Sequence, residues 1–507
     1  MNSSLTRKQF FKLSAAGMAA GLLAAGCSFR GPAPSRTLPS AGATNTKPGR
    51  PPNVVFVFGD QWRAQAVGYA GDPNVHTPHL DRLAGQSVNF CNAVSGFPVC
   101  SPYRASLLTG QYSTTHGVIM NDAPLSSRAV SIAQAFKGGG YQTAYIGKWH
   151  VDGRGERSAY IPPERRQGFE FWKVLECTHS YNNSHYYAGD SDKKLTWEGY
   201  DAIAQTREAQ RYLRQEVRDK PFLLMLSWGP PHDPYLTAPQ PYRDLYDPSK
   251  LTLRPNVPGP LAVSEARQGL AGYYAHCSAL DACVGGLLAT LKETGLDDNT
   301  IFVFTSDHGN MLGSQGQWDK QRPYEESIRV PFLLRWPEGL GCTGRTVQKL
   351  IDAPDIMPTL LGLCGLPIPS TVEGSDLSAY ARGHATVPDD DAVLLTCPWP
   401  FGKFTRKQGG REYRGVRTQR YTYVRDLNGP WLLYDNQVDP YQLKNLINEP
   451  AVARTQDHLE HILQRELKRS HDQLVPGEEL IKKWGYKVQS NGNIPVSGWK
   501  SGINRSS

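Results

Sequence analysis

Asn53-Val-Val-Phe-Val-Phe58, running into Gly59-Asp60-Gln61, is an apolar stretch without alternation that stops abruptly at an acid. A strand apolar on both faces belongs in a sheet covered from both sides, the setting of buried parallel strands. The pattern returns along the chain. Thr143-Ala-Tyr-Ile146 leads into Gly147-Lys148-Trp149-His150, and Phe222-Leu-Leu-Met-Leu226 leads to Pro231-His232-Asp233-Pro234. Thr300-Ile-Phe-Val-Phe-Thr305 leads into Ser306-Asp307-His308-Gly309. Helical stretches lie between, for example 200–217 and 265–294, so the order is β-α-β and the class α/β, a large, mostly parallel sheet sandwiched by helices. Ligands of such sheets bind beyond the carboxyl ends of the strands. All the polar residues just named sit there, so they converge on one candidate site.

A further segment points to the same edge. Cys100-Ser-Pro-Tyr-Arg104-Ala-Ser-Leu-Leu-Thr-Gly110 sets a small nucleophilic side chain just before an expected helix start. Pro102 suits a first helical turn, where its missing N–H costs nothing, and Ala105 to Leu108 favour helix. Cys100 then faces free backbone N–H groups and the positive end of the helix dipole, a seat for an oxyanion. Arg104, one turn on, adds a guanidinium. The plainer reading is a buried structural cysteine beside a capped helix.

The pattern Cys-x-Pro-x-Arg-x-x-x-x-Thr-Gly over 100–110 resembles that of the type I, formylglycine-dependent sulfatases of the alkaline phosphatase-like superfamily. Gly-Lys148-Trp-His150, Pro-His232-Asp-Pro-Tyr and Trp-Asp-Lys320 are similar to further signatures of that family, as are Thr77 to Leu83 and Thr115-His116-Gly117. The resemblance runs from about Pro52 to Leu446. It implies that a maturation enzyme oxidises Cys100 to formylglycine, whose hydrated aldehyde is the nucleophile, and that Arg104, Lys148, His150, His232 and Lys320 carry the remaining catalytic work. A sulfate ester needs its delocalised charge neutralised and its departing alkoxide protonated. His232, with Lys320, is the expected acid, and His150 the base that expels sulfate.

Asp60 and Asp307 are the candidate hard metal ligands, since each closes a strand with a glycine nearby. Either alone would more simply cap a turn; the matched positions favour ligands. Family members show adjacent acids after the first strand, whereas this chain has Asp60-Gln61 and Asp307-His308. Gln61 offers a carbonyl oxygen acceptable to Ca²⁺, and His308 suits softer metals such as Mn²⁺. With Cys100 these complete the expected metal set. Ca²⁺ is the expectation by resemblance and Mn²⁺ the alternative.

The chain of 507 residues carries 39% hydrophobic and 20% charged residues, a soluble, globular balance. Its net charge of +8 resides in the leader: residues 1–50 hold seven Lys and Arg and no acid, leaving +1 for the rest, so nothing argues for nucleic acid. Arg7-Lys8 ahead of the uncharged run Leu13 to Gly26 reads as an export signal resembling the twin-arginine type, with Lys8 in place of the second arginine. Leu-Ala-Ala-Gly-Cys27 looks like a lipobox, making Cys27 a candidate lipidated residue; an ordinary cleaved signal and an uncleaved anchor are the alternatives. The expected organisation is a signal peptide over 1–26, a flexible tether over 27–51, a catalytic domain over 52–385 and a C-terminal subdomain over 386–507. That subdomain is expected to be a small antiparallel sheet around 414–435 with a helix over 453–470. The other cysteines show no disulfide framework and no zinc spacing.

The insertion from Trp172 to Tyr187 reads as a polar, aromatic loop in which His179, His185 and Tyr187 either contact a sugar or merely pack. The expected substrate is a sulfated polysaccharide or its oligosaccharides, acted on in a bacterial periplasm or at the outer-membrane or cell surface, with the membrane touched only through a lipid anchor. Rival readings are a phosphonate monoester or phosphodiester hydrolase of the same superfamily, and a catalytically degenerate glycan-binding lipoprotein.

Overall fold

A computed structural model describes residues 50–126, 129–217 and 220–497. The chain divides into two units, 1–49 and 50–507, and every described residue belongs to the second. The expected signal peptide, Cys27 and nearly all of the tether lie outside the described residues.

The apolar runs form strands of one ten-stranded sheet. In chain order these are β1 (Asn53–Asp60), β2 (Val88–Phe90), β3 (Gln142–Lys148), β4 (Phe171–Leu175), β5 (His185–Ala188), β6 (Leu195–Thr196), β7 (Phe222–Pro231), β8 (Thr300–Ser306), β9 (Phe332–Arg335) and β10 (Arg345–Val347). Their spatial order is β10-β2-β9-β8-β1-β7-β3-β4-β5-β6. The central strands β8, β1, β7, β3 and β4 are parallel, with Phe58 opposite both Thr305 and Ser227. The β8–β9, β9–β2, β4–β5 and β5–β6 pairings are antiparallel, so the sheet is mixed.

Both faces are covered, as the unbroken apolar runs require. Val54, Phe56 and Phe58 pack on one side with Leu107 and Leu108 of the helix Cys100–Thr109 and with Ile356 and Leu360 of the helix Ala353–Leu363. Val55 and Val57 pack on the other with the helices Asp201–Gln215 and Pro260–Glu293. Burying each such side chain contributes about 1.5–3 kcal/mol.

A second sheet follows, β11 (Ala392–Cys397), β12 (Tyr413–Thr418), β13 (Tyr421–Asp426) and β14 (Gly429–Asp435), antiparallel throughout. Alternation along β11 decides its packing. Val393, Leu395 and Cys397 face Val94, Ile328 and Leu350, while Leu394 turns the other way onto Leu459, Ile462 and Leu463 of the helix Ala453–Arg469. One face of the sheet therefore packs on segments that precede it in the chain, and the other on the helix that follows it.

Two expectations are corrected. The stretch 172–187 is not wholly a loop: its ends are β4 and β5, and Trp172 and Tyr181 are buried. Cys100 does not precede its helix but is its first residue, with Val99 in the extended cap position. All eight cysteines among the described residues are unbridged, and no helix among them is long and apolar enough to cross a membrane.

His116 is buried, sharing a hydrogen bond of 3.0 Å with Ser106 Oγ through Nε2 and accepting one of 3.1 Å from the Val118 N–H through Nδ1. Burial pulls its pKa down to about 3. Because the unfolded histidine titrates near 6.5, the unfolded state binds more protons below that pH, and stability falls as pH drops from about 6.5 towards 3. We expect a loss of about 2 kcal/mol at pH 5 from this residue alone. Urea midpoints at pH 7 and pH 5 check it: the difference should shrink in His116→Gln, and an unchanged difference would refute the assignment.

Candidate active site

The four neighbouring parallel strands β8, β1, β7 and β3 end side by side. At or just past their carboxyl ends stand Asp307 and His308, Asp60 and Gln61, His232, and Lys148 and His150. Close approach at this edge is secured by Gly147, whose φ is +103° and whose Cβ, were there one, would collide with the Ser227 carbonyl oxygen of β7.

Cys100 lies at the centre. Its Sγ is 3.5 Å from Asp60 Oδ1, 3.3 Å from His308 Nε2 and 3.1 Å from Lys320 Nζ. Burial and Asp60 push the thiol pKa up, but the nearby ammonium groups, Lys320 first and then Lys148, outweigh them and hold it well below the usual value. Arg104, 1% exposed, ties the strand ends together. One nitrogen donates to the Lys148 carbonyl (2.9 Å) and to Ser227 Oγ (2.7 Å), the other to Asp60 Oδ2 (3.1 Å) and Asp307 Oδ2 (3.2 Å). Lys148 Nζ reaches Asp60 Oδ2 at 2.6 Å.

Asp60, Cys100, Asp307 and His308 place ligand-capable atoms within 4.8 Å of one another, all buried. The donor set fits a divalent cation on three counts. His308 Nδ1 lies 2.9 Å from the Gly309 carbonyl, to which it donates, leaving the Nε2 lone pair for the centre. Gln61 is wholly buried, its N–H on Asp307 Oδ1 at 2.9 Å, yet both atoms of its side-chain amide lack a partner. Burial and the charge of Asp60 push the Asp307 pKa up, a repulsion that a cation between the two carboxylates would relieve.

His232 follows β7. Its Nδ1 is 3.0 Å from Asp233 Oδ1, and its ring stacks on His179 at 4.5 Å. Burial and Lys320 lower its pKa, but Asp233 prevails and raises it. Lys320 sits between two residues with left-handed backbone, Asp319 (φ 61°) and Gln321 (φ 71°). Its loop is pinned by the Gln321 N–H to the Pro98 carbonyl (3.2 Å) and by Tyr413 Oη of β12 to the Gln321 carbonyl (3.1 Å). The small sheet thus holds a lysine of the main site.

The structure brings Asp60, Gln61, Cys100, Arg104, Lys148, Asp307, His308 and Lys320 together, with His232 and the stacked His179 beside them. His185 and Tyr187 lie on β5, and Tyr187 is buried with its hydroxyl donated to the Ser158 carbonyl (2.7 Å). Sequence reasoning missed Ser227, Cys177 and Asp122. Ser227 lies one residue beyond the apolar core of β7. Cys177, two residues past β4, is buried near His150 and Lys148.

Comparison with known proteins agrees with this geometry. The family model "Sulfatase" matches residues 52–366, and "N-sulphoglucosamine sulphohydrolase, C-terminal" matches 313–469. The chain is 44% identical, over 87% of its length and 86% of the relative's, to an ulvan-active sulfatase of Formosa agariphila. It is 34% identical, over 78% of its length and 88% of the relative's, to an endo-4-O-sulfatase of Bacteroides thetaiotaomicron. A solved structure from work on glycosaminoglycan metabolism by Bacteroides thetaiotaomicron superposes with a TM-score of 0.75 at 31% identity, covering 85% of this chain and 99% of that one. The chain belongs to the sulfatase family, with the alkaline phosphatase-like fold, and is a sulfuric ester hydrolase.

Proposed function

We propose that the protein removes sulfate from a sulfated polysaccharide or its oligosaccharides, with Cys100 matured to formylglycine and a divalent cation, Ca²⁺ or Mn²⁺, held by Asp60, Gln61, Asp307 and His308. The observation that carries this is the setting of Cys100, whose side chain touches a carboxylate, an imidazole and an ammonium at once. The Cys100 sulfur stands where the oxygens of the hydrated aldehyde would be. The ulvan-active relative and the endo-4-O-sulfatase support a glycan substrate. The basic, apolar leader ahead of Cys27 supports export to a bacterial periplasm or surface, with a lipid anchor there.

When bound, the cation supplies Lewis acidity that favours a deprotonated hydroxyl and draws off charge from the sulfo group. The chain's own residues do the rest. Arg104 locks Asp60 and Asp307 in place while Lys148 and Lys320 face the anionic ester. One hydroxyl of the hydrate, giving its proton to Asp307, attacks sulfur in line, and the bond from sulfur to the leaving oxygen breaks with that oxygen taking the electron pair. His232, held by Asp233 and assisted by Lys320, protonates the departing alcohol. His150 then takes the proton of the second hydroxyl, the carbon–oxygen bond to sulfate breaks with sulfate taking the electron pair, and the aldehyde returns. Dividing one hard step into two is the gain of covalent catalysis.

Peptide mass spectrometry of the segment spanning Cys100, from protein made in its own host, tests the nucleophile. The aldehyde mass in place of the thiol is expected; an intact thiol in an active preparation would remove the mechanism. Parallel rates on an aryl sulfate and an aryl phosphodiester are expected to favour the sulfate, and a preference for the phosphodiester would overturn the substrate class.

A further inference from the structure

His150 is two residues past β3 and 2% exposed. Its φ of 60° is left-handed, as is the 65° of Asp122, which it touches. Neither residue is a glycine, and backbone held in that region costs about 1–3 kcal/mol per residue, so it persists where its surroundings impose it. Those surroundings are in view. The Ser101 N–H donates to Asn121 Oδ1 (3.1 Å) and the Asp122 N–H to Ser101 Oγ (3.3 Å), strapping the 121–122 turn to the start of the Cys100 helix. The Leu125 N–H donates to the Val151 carbonyl (2.9 Å), joining the same turn to the segment after His150.

Asp122 Oδ1 accepts from Arg157 Nε (2.8 Å) and lies 3.3 Å from His150 Nε2, while Oδ2 accepts from Arg157 Nη2 (2.6 Å). A two-pronged arginine fixes the plane of a carboxylate, and the carboxylate in turn fixes the imidazole. Burying such charges is a poor route to stability, because desolvation offsets most of the attraction. What the arrangement does achieve is orientation. With Nε2 turned to Asp122, the other nitrogen, Nδ1, is buried without a partner. The charged and titratable groups that face His150 are Asp122 on one side, and Lys148, Glu176, Cys177 and Cys100 on the others.

We infer that Asp122, clamped by Arg157, is a positioning residue that presents His150 Nδ1 as the nitrogen taking the proton of the second hydroxyl when sulfate is expelled. This rests on the role given to His150 above. The proton leaves oxygen for Nδ1, and the Asp122 carboxylate stabilises the imidazolium so formed, as an acid behind a catalytic histidine does in a hydrolase triad.

The test is a double-mutant cycle in the matured enzyme with an aryl sulfate. His150→Ala and Asp122→Asn are each expected to lower kcat at least about 100-fold and to lower KM with it, leaving kcat/KM within about twofold, because both act after the sulfo group has been transferred. The double variant should be no slower than His150→Ala alone, because Asp122 acts only through that ring. Arg157→Gln, which loosens the clamp from its more exposed end without touching Asp122, should cost about 10-fold in kcat and serves if Asp122→Asn fails to fold. Wild-type kcat in Asp122→Asn or in Arg157→Gln, or losses that multiply in the double variant, would overturn the inference. Wild-type kcat in His150→Ala would instead remove the role assigned to His150 itself.

Discussion

Cys100→Ser is expected to release about one equivalent of alcohol per protein and then stall, with steady turnover falling at least about 10³-fold. The reason lies in the number of hydroxyls. The hydrated aldehyde proposed for position 100 would have one to attack sulfur and another to expel sulfate, whereas serine has only the first. Attack remains open to it, because Asp60 and Lys320 surround position 100 in the same way and His232 still has Asp233 behind it. Release would wait on water attacking sulfur at a site not built for that step. Rapid-quench measurement with an aryl sulfate should show the stoichiometric burst, and the peptide containing position 100 should gain a sulfo group. Cys100→Ala should show neither burst nor turnover. Undiminished steady turnover by the serine variant would mean that the reaction does not run through position 100.

The legible part of this site is the part encoded locally. Each central strand is apolar on both faces because helices cover both faces, so the runs at 53–58, 222–226 and 300–305 could be read without knowing their neighbours. The polar residues that end them then fall on one edge by the geometry of parallel sheets alone. Partners set by long-range packing were not legible. Ser227 was hidden because β7 continues beyond Leu226 through Ser-Trp-Gly-Pro-Pro, and only the β3–β7 register, Gly147 opposite Ser227, shows it meeting Arg104. Asp122 and Arg157 lie in irregular segments with no period to read, and their significance is their meeting at His150. The stretch 172–187 looked polar because Asn182, Asn183 and Ser184 dominate its middle, while the pairing of Val174 with Tyr187 makes its ends strands. The small sheet was anticipated from its alternating aromatic residues, but β11 was not among the strands read. Nor did the sequence show that β12 would pin the Lys320 loop through Tyr413.

Arg104→Met should be among the most damaging substitutions in the chain, because a single guanidinium answers two buried carboxylates. Asp60 and Asp307 are both wholly buried and both bonded to the same Arg104 nitrogen, at 3.1 and 3.2 Å. Methionine keeps much of the volume and removes the charge, leaving Asp307 without its direct cation and Asp60 with Lys148 alone. Breaking a buried pair from one side costs about 3–5 kcal/mol, read as a lower urea midpoint, and the loss of charge at the sulfo site should cut kcat/KM about 10³-fold. The stability loss should also depend on the metal. A divalent cation held by Asp60 and Asp307 would offset the same repulsion that Arg104 offsets, so saturating Ca²⁺ or Mn²⁺ should recover more stability in the variant than in the wild type. The opposite outcome, an equal gain in both proteins, would mean that metal and arginine do not share these carboxylates, and the cation would then have to be placed elsewhere. Arg104→Lys separates charge from geometry. An ammonium restores one positive charge but cannot span two carboxylates, the Lys148 carbonyl and Ser227 with a planar fork, so it should recover part of the stability and little of the activity.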